Sequence, residues 1–159
     1  LRFVLYNART FMARTVVYVR ILGLDIGTKR IGVAVSDELG FTAQGVETLI
    51  RSSPEADLNR IASLAGQYAV SEIVVGIPFN MDGSEGPQAR MVRELAEAIG
   101  RRCRVPIHEW DERLSTMAAE RTLLEADVSR AKRRKVIDKL AAVIILQGYL
   151  DSRSFGVSV

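Results

Sequence analysis

The sequence predicts an α/β domain: a mixed β-sheet with helices on its faces. Three observations carry this. Three strand-like apolar runs come first, between residues 16 and 50, with connections too short to hold a crossover helix. Two further apolar runs, Glu72–Pro78 and Val105–Trp110, each follow a stretch of helical spacing. Two helical stretches then end the chain. The resulting order, βββαβαβαα, is that of an antiparallel meander extended by strands that return through helices.

Each element has its own local reason. Val16 to Asp25 reads as the first strand, and Ile31, Val33 and Val35, alternating with smaller residues, mark the second. Residues 41–50 supply the third, and the short connections make the three an antiparallel meander. Ser53-Pro54 gives a helix N-cap followed by proline at the first helical position. Leu58, Ile61, Ala65 and Tyr68 continue that helix at helical spacing. Glu72 to Pro78 encloses IVVGI, a buried strand, and Phe79 to Gly86 (FNMDGSEG) is a loop of turn residues whose glycines permit motion at its rim position. Ala89, Val92, Ala96 and Ile99 mark the next helix. Val105 to Trp110 is a strand, with Asp111 where it ends. Helices are expected over 116–126 and 131–150. In the last, Val136, Leu140, Val143, Ile144 and Gln147 form one largely apolar stripe. Asp138 lies at its flank, one turn before Ala141 and Ala142, whose small side chains would let the helix approach the sheet closely.

Composition bounds the chemistry. A chain of 159 residues, 48% hydrophobic and 26% charged, is expected to form one globular domain. We expect it over 19–152, after an N-terminal extension (1–18) that is poorly ordered in part unless tied down, with Met12 as a candidate start, and before a tail at 153–159. The single cysteine, Cys103, cannot form an internal disulfide, which fits a reducing cytoplasmic setting. Cys103 and the single histidine, His108, cannot build a Cys/His zinc site. Any metal must therefore be held by carboxylates, which favours magnesium or manganese. A Ser-His-Asp triad around His108 lacks a supporting Gly-x-Ser-x-Gly elbow. No secretory signal and no apolar run of about 20 residues is present, so no membrane role is expected. The net charge of +3 is unevenly spread: five of the six residues from Arg130 to Lys135 are basic, and the first twenty residues carry four arginines and no acid. Such clusters either bind a polyanion or form a solvated face.

The richest segment is Gly23 to Asp37, GLDIGTKRIGVAVSD. Asp25 ends an apolar run and needs a partner or an ion there. Gly27 and Gly32 permit a tight turn and close phosphate approach, and Lys29 and Arg30 between them supply phosphate-binding charge. In mixed sheets of this kind, sites form at the carboxyl ends of strands, where Asp25 and Asp111 both lie. Read from spacing alone, each further acid has two readings. Asp111 is a site acid, or a turn or cap residue. Asp138 is a site acid, or an exposed partner of Lys135 or Arg134. Glu112 is a base beside the site, or solvated. Asp82 reads as a turn residue before Gly83 rather than a ligand. Trp110 points opposite Asp111 in a regular strand, toward a core.

GLDIGTKRIGVAVSD, VVGIPFNMDGSEGPQA, DERLST and IDKLAAVIILQGYL, in this order over residues 21–151, together resemble the YqgF/RuvX family of bacterial Holliday junction resolvases, a family also described as pre-16S rRNA nucleases. The resemblance implies an RNase H-like fold with sheet order 3-2-1-4-5 and only strand 2 antiparallel to the rest. It implies catalytic, metal-holding carboxylates at Asp25, Asp111 and Asp138, with Asp25 shared between ions, and Mg2+ or Mn2+ as cofactor. Thr28, Lys29, Arg30 and Arg113 are then expected to hold nucleic-acid phosphates, while Ser115 and Thr116 cap the following helix. The implied activity is metal-dependent endonucleolytic cleavage of structured nucleic acid: processing of the 5′ end of precursor 16S rRNA in ribosome biogenesis, or alternatively Holliday junction resolution. Junction cutting on two strands calls for a homodimer; an RNA nuclease can act as a monomer. Two rivals remain at this point. Asp-x-Gly-Thr also opens the phosphate hairpin of actin-like ATPases, but those need two such lobes. A non-catalytic nucleic-acid-binding module would use the same surface without the acids.

Overall fold

The computed structural model describes residues 19–114 and 130–155, the side chains of 130–138 and 155 excepted. Five strands form one sheet in the order β3-β2-β1-β4-β5. They are β1 (Arg20–Ile26), β2 (Arg30–Ser36), β3 (Ala43–Ile50), β4 (Val70–Ile77) and β5 (Ile107–Asp111). β2 is antiparallel to both its neighbours, and β1, β4 and β5 run parallel. Only β2 therefore runs against the rest, the arrangement the resemblance implies.

Strand alternation sorts the side chains into two cores. Leu22, Leu24 and Ile26 of β1, with Ile73, Val75 and Ile77 of β4, face helices α1 (Pro54–Gln67) and α2 (Pro87–Cys103). Ile21, Val74 and Ala34 face the other way, under the long helix α3 (Arg130–Phe155). Each fully buried aliphatic side chain contributes roughly 1.5–3 kcal/mol. The start of α1 is as expected: Ser53 Oγ accepts the Ala56 N–H at 3.2 Å, and Pro54 opens the first turn.

α3 differs from expectation in two ways. Its buried stripe is Ala141, Ala142, Ile145, Leu146 and Leu150. The stripe expected from hydrophobicity, through Leu140, Val143, Ile144 and Gln147, sits to one side: Val143 and Ile144 are only partly buried, and Gln147 spends its amide on the Ala43 N–H and the Phe41 carbonyl. Glycines in the sheet explain the rotation. A Cβ on Gly23 would stand 2.7 Å from Leu146 Cβ and 3.1 Å from the Ala142 carbonyl, and one on Gly76 would stand 2.5 Å from Ile145 Cδ1. The Ala142 carbonyl and Leu146 fill the space over Gly23, and the Ile145 and Glu112 side chains fill that over Gly76. The helix also runs to Phe155, past residue 152, where the sequence suggests a tail. Gly148 does not break it, because Trp110 fills the place of its side chain, 2.9 Å from where a Cβ would be. Arg153 then ties the last turn to Glu72 at 3.0 Å. The expected helix over 116–126 lies outside the described residues. Among those residues, no helix is long and apolar enough to cross a membrane.

Candidate active site at the carboxyl edge of the sheet

Asp25 is the penultimate residue of β1 and is buried, with 8% of its surface exposed. It alternates with Ile21 and Gly23, so it shares the face that α3 covers. On one side it is paired with Gly32 of β2. On the other, the β1–β4 pairing ends at Leu24 opposite Val75, one residue before Asp25 and Gly76. Neither of these neighbouring positions carries a side chain, and the space over Gly76 is filled by Ile145 and Glu112. It takes part in polar contacts.

The β1–β2 hairpin carries Thr28 and Lys29 exposed at its tip and Arg30 half-buried at the start of β2. Arg30 lies on the α3 face, two residues from Gly32. The turn is tight: the Gly27 N–H donates to the Arg30 carbonyl at 2.8 Å. It is braced by a pair the sequence reading did not single out. Arg51 donates to the Gly27 carbonyl at 3.0 Å and to Asp57 Oδ2 at 2.9 Å, and Asp57 is 4% exposed. The available signal was an acid in the first turn of α1 just after an arginine.

Asp111 ends β5 opposite Ile77, and therefore faces α2 rather than α3. Both its oxygens are engaged by Arg113. Nε donates to Oδ1 and Oδ2 at 3.0 Å, Nη2 to Oδ2 at 2.6 Å, and the Arg113 backbone N–H to Oδ1 at 2.9 Å. The hydrogen bonds from Arg113 hold the Asp111 carboxyl below the ordinary aspartate range. The same guanidinium lies 5.7 Å from the Phe79 ring centroid, reaches the Met81 carbonyl at 3.5 Å, and stands 3.3 Å from where a Gly83 Cβ would be.

Glu112 opens a single 3-10 turn, Glu112–Leu114. Its Oε1 lies 2.8 Å from the position of a Gly76 Cβ, beside Ile145. That is the face of Asp25 and α3. Trp110 enters the α3 core, edge-on to Tyr149 at 6.4 Å, and Glu112, in the turn after β5, lies on the same side.

The 79–86 loop is bonded to itself more fully than its glycines suggest. The Asn80 N–H donates to the Ser84 carbonyl and the Gly83 N–H to the Asn80 carbonyl, both at 2.9 Å. Gly83 alone of its glycines takes a positive φ, 85°. Asp82 Oδ1 accepts from the Ser84 N–H at 2.9 Å and hydroxyl at 2.6 Å, the turn role expected of it. His108 is at the other end of β5, paired with Glu72 at 3.0 Å and stacked on Tyr149, with no part in this edge.

Asp138 belongs to α3, but its side chain is outside the described residues, as are Ser115 and Thr116. Among the described residues, no three His, Cys, Asp or Glu side chains gather as a metal group. The donors that this edge does present, Asp25 and Glu112, are carboxylate oxygens with no nitrogen or sulfur among them, the chemistry that suits Mg2+ or Mn2+.

A family profile described as "RuvX: Holliday junction resolvase" matches residues 19–152. A protein of Symbiobacterium thermophilum named "Putative pre-16S rRNA nuclease" is 59% identical over 135 residues, covering 85% of this chain and 94% of its own length. One of Myxococcus xanthus bearing the same name is 58% identical over 133 residues, 84% of this chain and 88% of the relative. Among solved structures, the fold resembles T. thermophilus RuvC in complex with a Holliday junction substrate. Its TM-score is 0.58 at 14% identity, over 88% of this chain and 98% of that one.

Proposed function

The chain belongs to the RuvX family of Holliday junction resolvases, and from that premise we propose that its carboxyl edge is the active site of a metal-dependent endonuclease that trims the 5′ end of precursor 16S rRNA. The observation that carries this is a register between α3 and β1. Ala142 packs over Gly23, and α3 runs from the carboxyl end of β1 toward its start, where Leu150 meets Ile21. Position 138 is one helical turn earlier, about 6 Å along the axis. Asp25 is two residues later on the same strand face, about 6.6 Å. Position 138 therefore comes level with Asp25. Together with one carboxylate from the Asp111-Glu112 pair at the end of β5, they would supply the oxygens for Mg2+ or Mn2+.

When bound, such an ion lowers the pKa of a water to make a nucleophile and neutralises charge on the phosphate. The chain's own residues do the rest. Asp25 and Asp138 orient ligand oxygens from a strand and a helix that are locked together by packing. Glycine-flanked backbone lets a phosphate come close to Asp25. Thr28, Lys29 and Arg30 would hold the phosphate on one side of the scissile bond, and Arg113, bound to Asp111 and the Met81 carbonyl, supports the rim on the other. The basic run Arg130–Lys135 forms the first turns of α3, beyond the edge on the side a polyanion would approach. The names of the relatives favour RNA. The family's description keeps Holliday junction DNA as the second reading, one that would call for a dimer. A cytoplasmic location accords with either substrate.

The test is cleavage by the purified protein of precursor 16S rRNA and of a four-way DNA junction, side by side, with and without Mg2+ or Mn2+. We expect metal-dependent cleavage of the rRNA precursor at its 5′ end, little cleavage of the junction, and loss of activity in Asp25→Asn. Cleavage of the junction alone would move the substrate to DNA. Salt-sensitive binding without cleavage of either would leave only a nucleic-acid-binding module.

A further inference from the structure

We propose that Glu112, rather than Asp111, is the carboxylate at the end of β5 that faces the metal, and that Asp111 is a positioning residue that holds Arg113 beneath the 79–86 loop. The inference rests on the metal-site reading above and deepens it. Successive residues of a strand point to opposite faces. Trp110 goes to the α3 face and Asp111 to the α2 face, and Glu112, in the 3-10 turn that follows, reaches over Gly76 on the α3 face, the face of Asp25 and of position 138. Its carboxylate occupies the space over Gly76, which, like Asp25, lies one residue past the last β1–β4 pair. A side chain at 76 would fill that space, so the glycine admits both Ile145 and the Glu112 carboxylate.

Asp111 is committed elsewhere. Three side-chain hydrogen bonds and one backbone hydrogen bond join its two oxygens to Arg113. To join Asp25, its carboxylate would have to abandon all four and cross the plane of the sheet. What it does instead is orient a guanidinium. Held edge-on by Asp111, Arg113 lies against Phe79, reaches the Met81 carbonyl and closes against Gly83. It is the strut between the end of β5 and the loop that follows β4. Phe79 is flanked in the same way by Arg93, at 5.9 Å, and Arg93 is itself clamped by both oxygens of Glu109 at 2.7 Å. The loop base is thus held between two arginines, each fixed by an acid of β5. The two adjacent acids divide the work: Glu112 serves the ion, and Asp111 shapes the rim over which the nucleic acid passes.

The test measures Mn2+ binding to the whole protein by titration calorimetry without nucleic acid, with Asp25→Asn as the reference. Glu112→Gln should weaken Mn2+ binding at least about tenfold, and Glu112→Asp, which keeps the charge but retracts the carboxylate, should weaken it as well. Asp111→Asn should leave Mn2+ affinity within about twofold while amide hydrogen exchange across 79–86 speeds up about tenfold or more, and Arg113→Ala should reproduce that exchange change. Circular dichroism and cooperative melting establish that each variant is folded. The proposal is overturned if both Glu112 variants bind Mn2+ as the wild type does, or if Asp111→Asn weakens Mn2+ binding as far as Asp25→Asn. Wild-type Mn2+ affinity in Asp25→Asn is a different result: it would bring down the metal-site reading itself.

Discussion

Asp82 and Asp111 sit at the same rim, and each is an acid whose role is decided by its donors. For Asp82 the donor is Ser84, whose hydroxyl hydrogen bond, with help from the Ser84 backbone N–H, lowers the carboxyl pKa below its ordinary value of 3.8. A lowered folded pKa stabilises the loop at any pH above the unfolded value, near 3.9, and that contribution fades as pH falls through the folded value. A carboxyl carbon NMR titration should therefore find Asp82 titrating below an ordinary aspartate. Ser84→Ala should move it part of the way back up, since the backbone hydrogen bond remains. No upward movement would mean that the Ser84 hydroxyl is not the cause. At this scale the sequence was readable wherever side-chain direction follows a simple period. Asp82 as a turn residue and Trp110 as a core residue were both legible. The engagement of Asp111 with Arg113 was not, because a contact between residues two apart depends on the 3-10 turn that follows β5, and that turn carries no periodic signature.

Among the elements, α3 is the one whose placement the hydrophobic pattern misjudged. Spacing finds the helix, expected over 131–150 and observed over Arg130–Phe155, and reads Ala141 and Ala142 as permitting close approach, yet it assigns the apolar stripe to Val136, Leu140, Val143, Ile144 and Gln147. The choice is made by the sheet. Glycines at 23 and 76 let the helix descend onto β1 and β4, and small residues must then face the contact. The two alanines announce the close approach, but which sheet glycines lie opposite them is not written in a pattern read along one element. That contact has a measurable cost when disturbed. Gly23→Ala puts a methyl 2.7 Å from Leu146 Cβ and 3.1 Å from a backbone carbonyl that cannot swing away. It should lower stability in urea denaturation by about 1–3 kcal/mol and lower the nuclease rate too, since the same contact sets the height of position 138 over Asp25. Wild-type stability in this variant would mean that α3 does not lie as close as described.

For the molecule as a whole, topology does what no single motif can. Asp25 and Asp138 are more than a hundred residues apart in sequence. They belong to a central strand and to a helix laid antiparallel across it, so one turn of helix and two residues of strand bring them level. The element order made the mixed sheet legible from sequence, and the resemblance supplied the strand order that the structure then showed. Spacing left the acid at 138 with two readings, and the proposed register with β1 is what favours the site reading. The most direct test is a double-variant cycle on single-turnover cleavage, comparing Asp25→Asn, Asp138→Asn and the two combined. If both acids act on one metal centre, each single variant should lose at least about 100-fold in rate, and the pair should fall no more than about threefold further, as residues that work as a unit do. A near-wild-type rate in Asp138→Asn, or a combined loss equal to the product of the two single losses, would contradict the account.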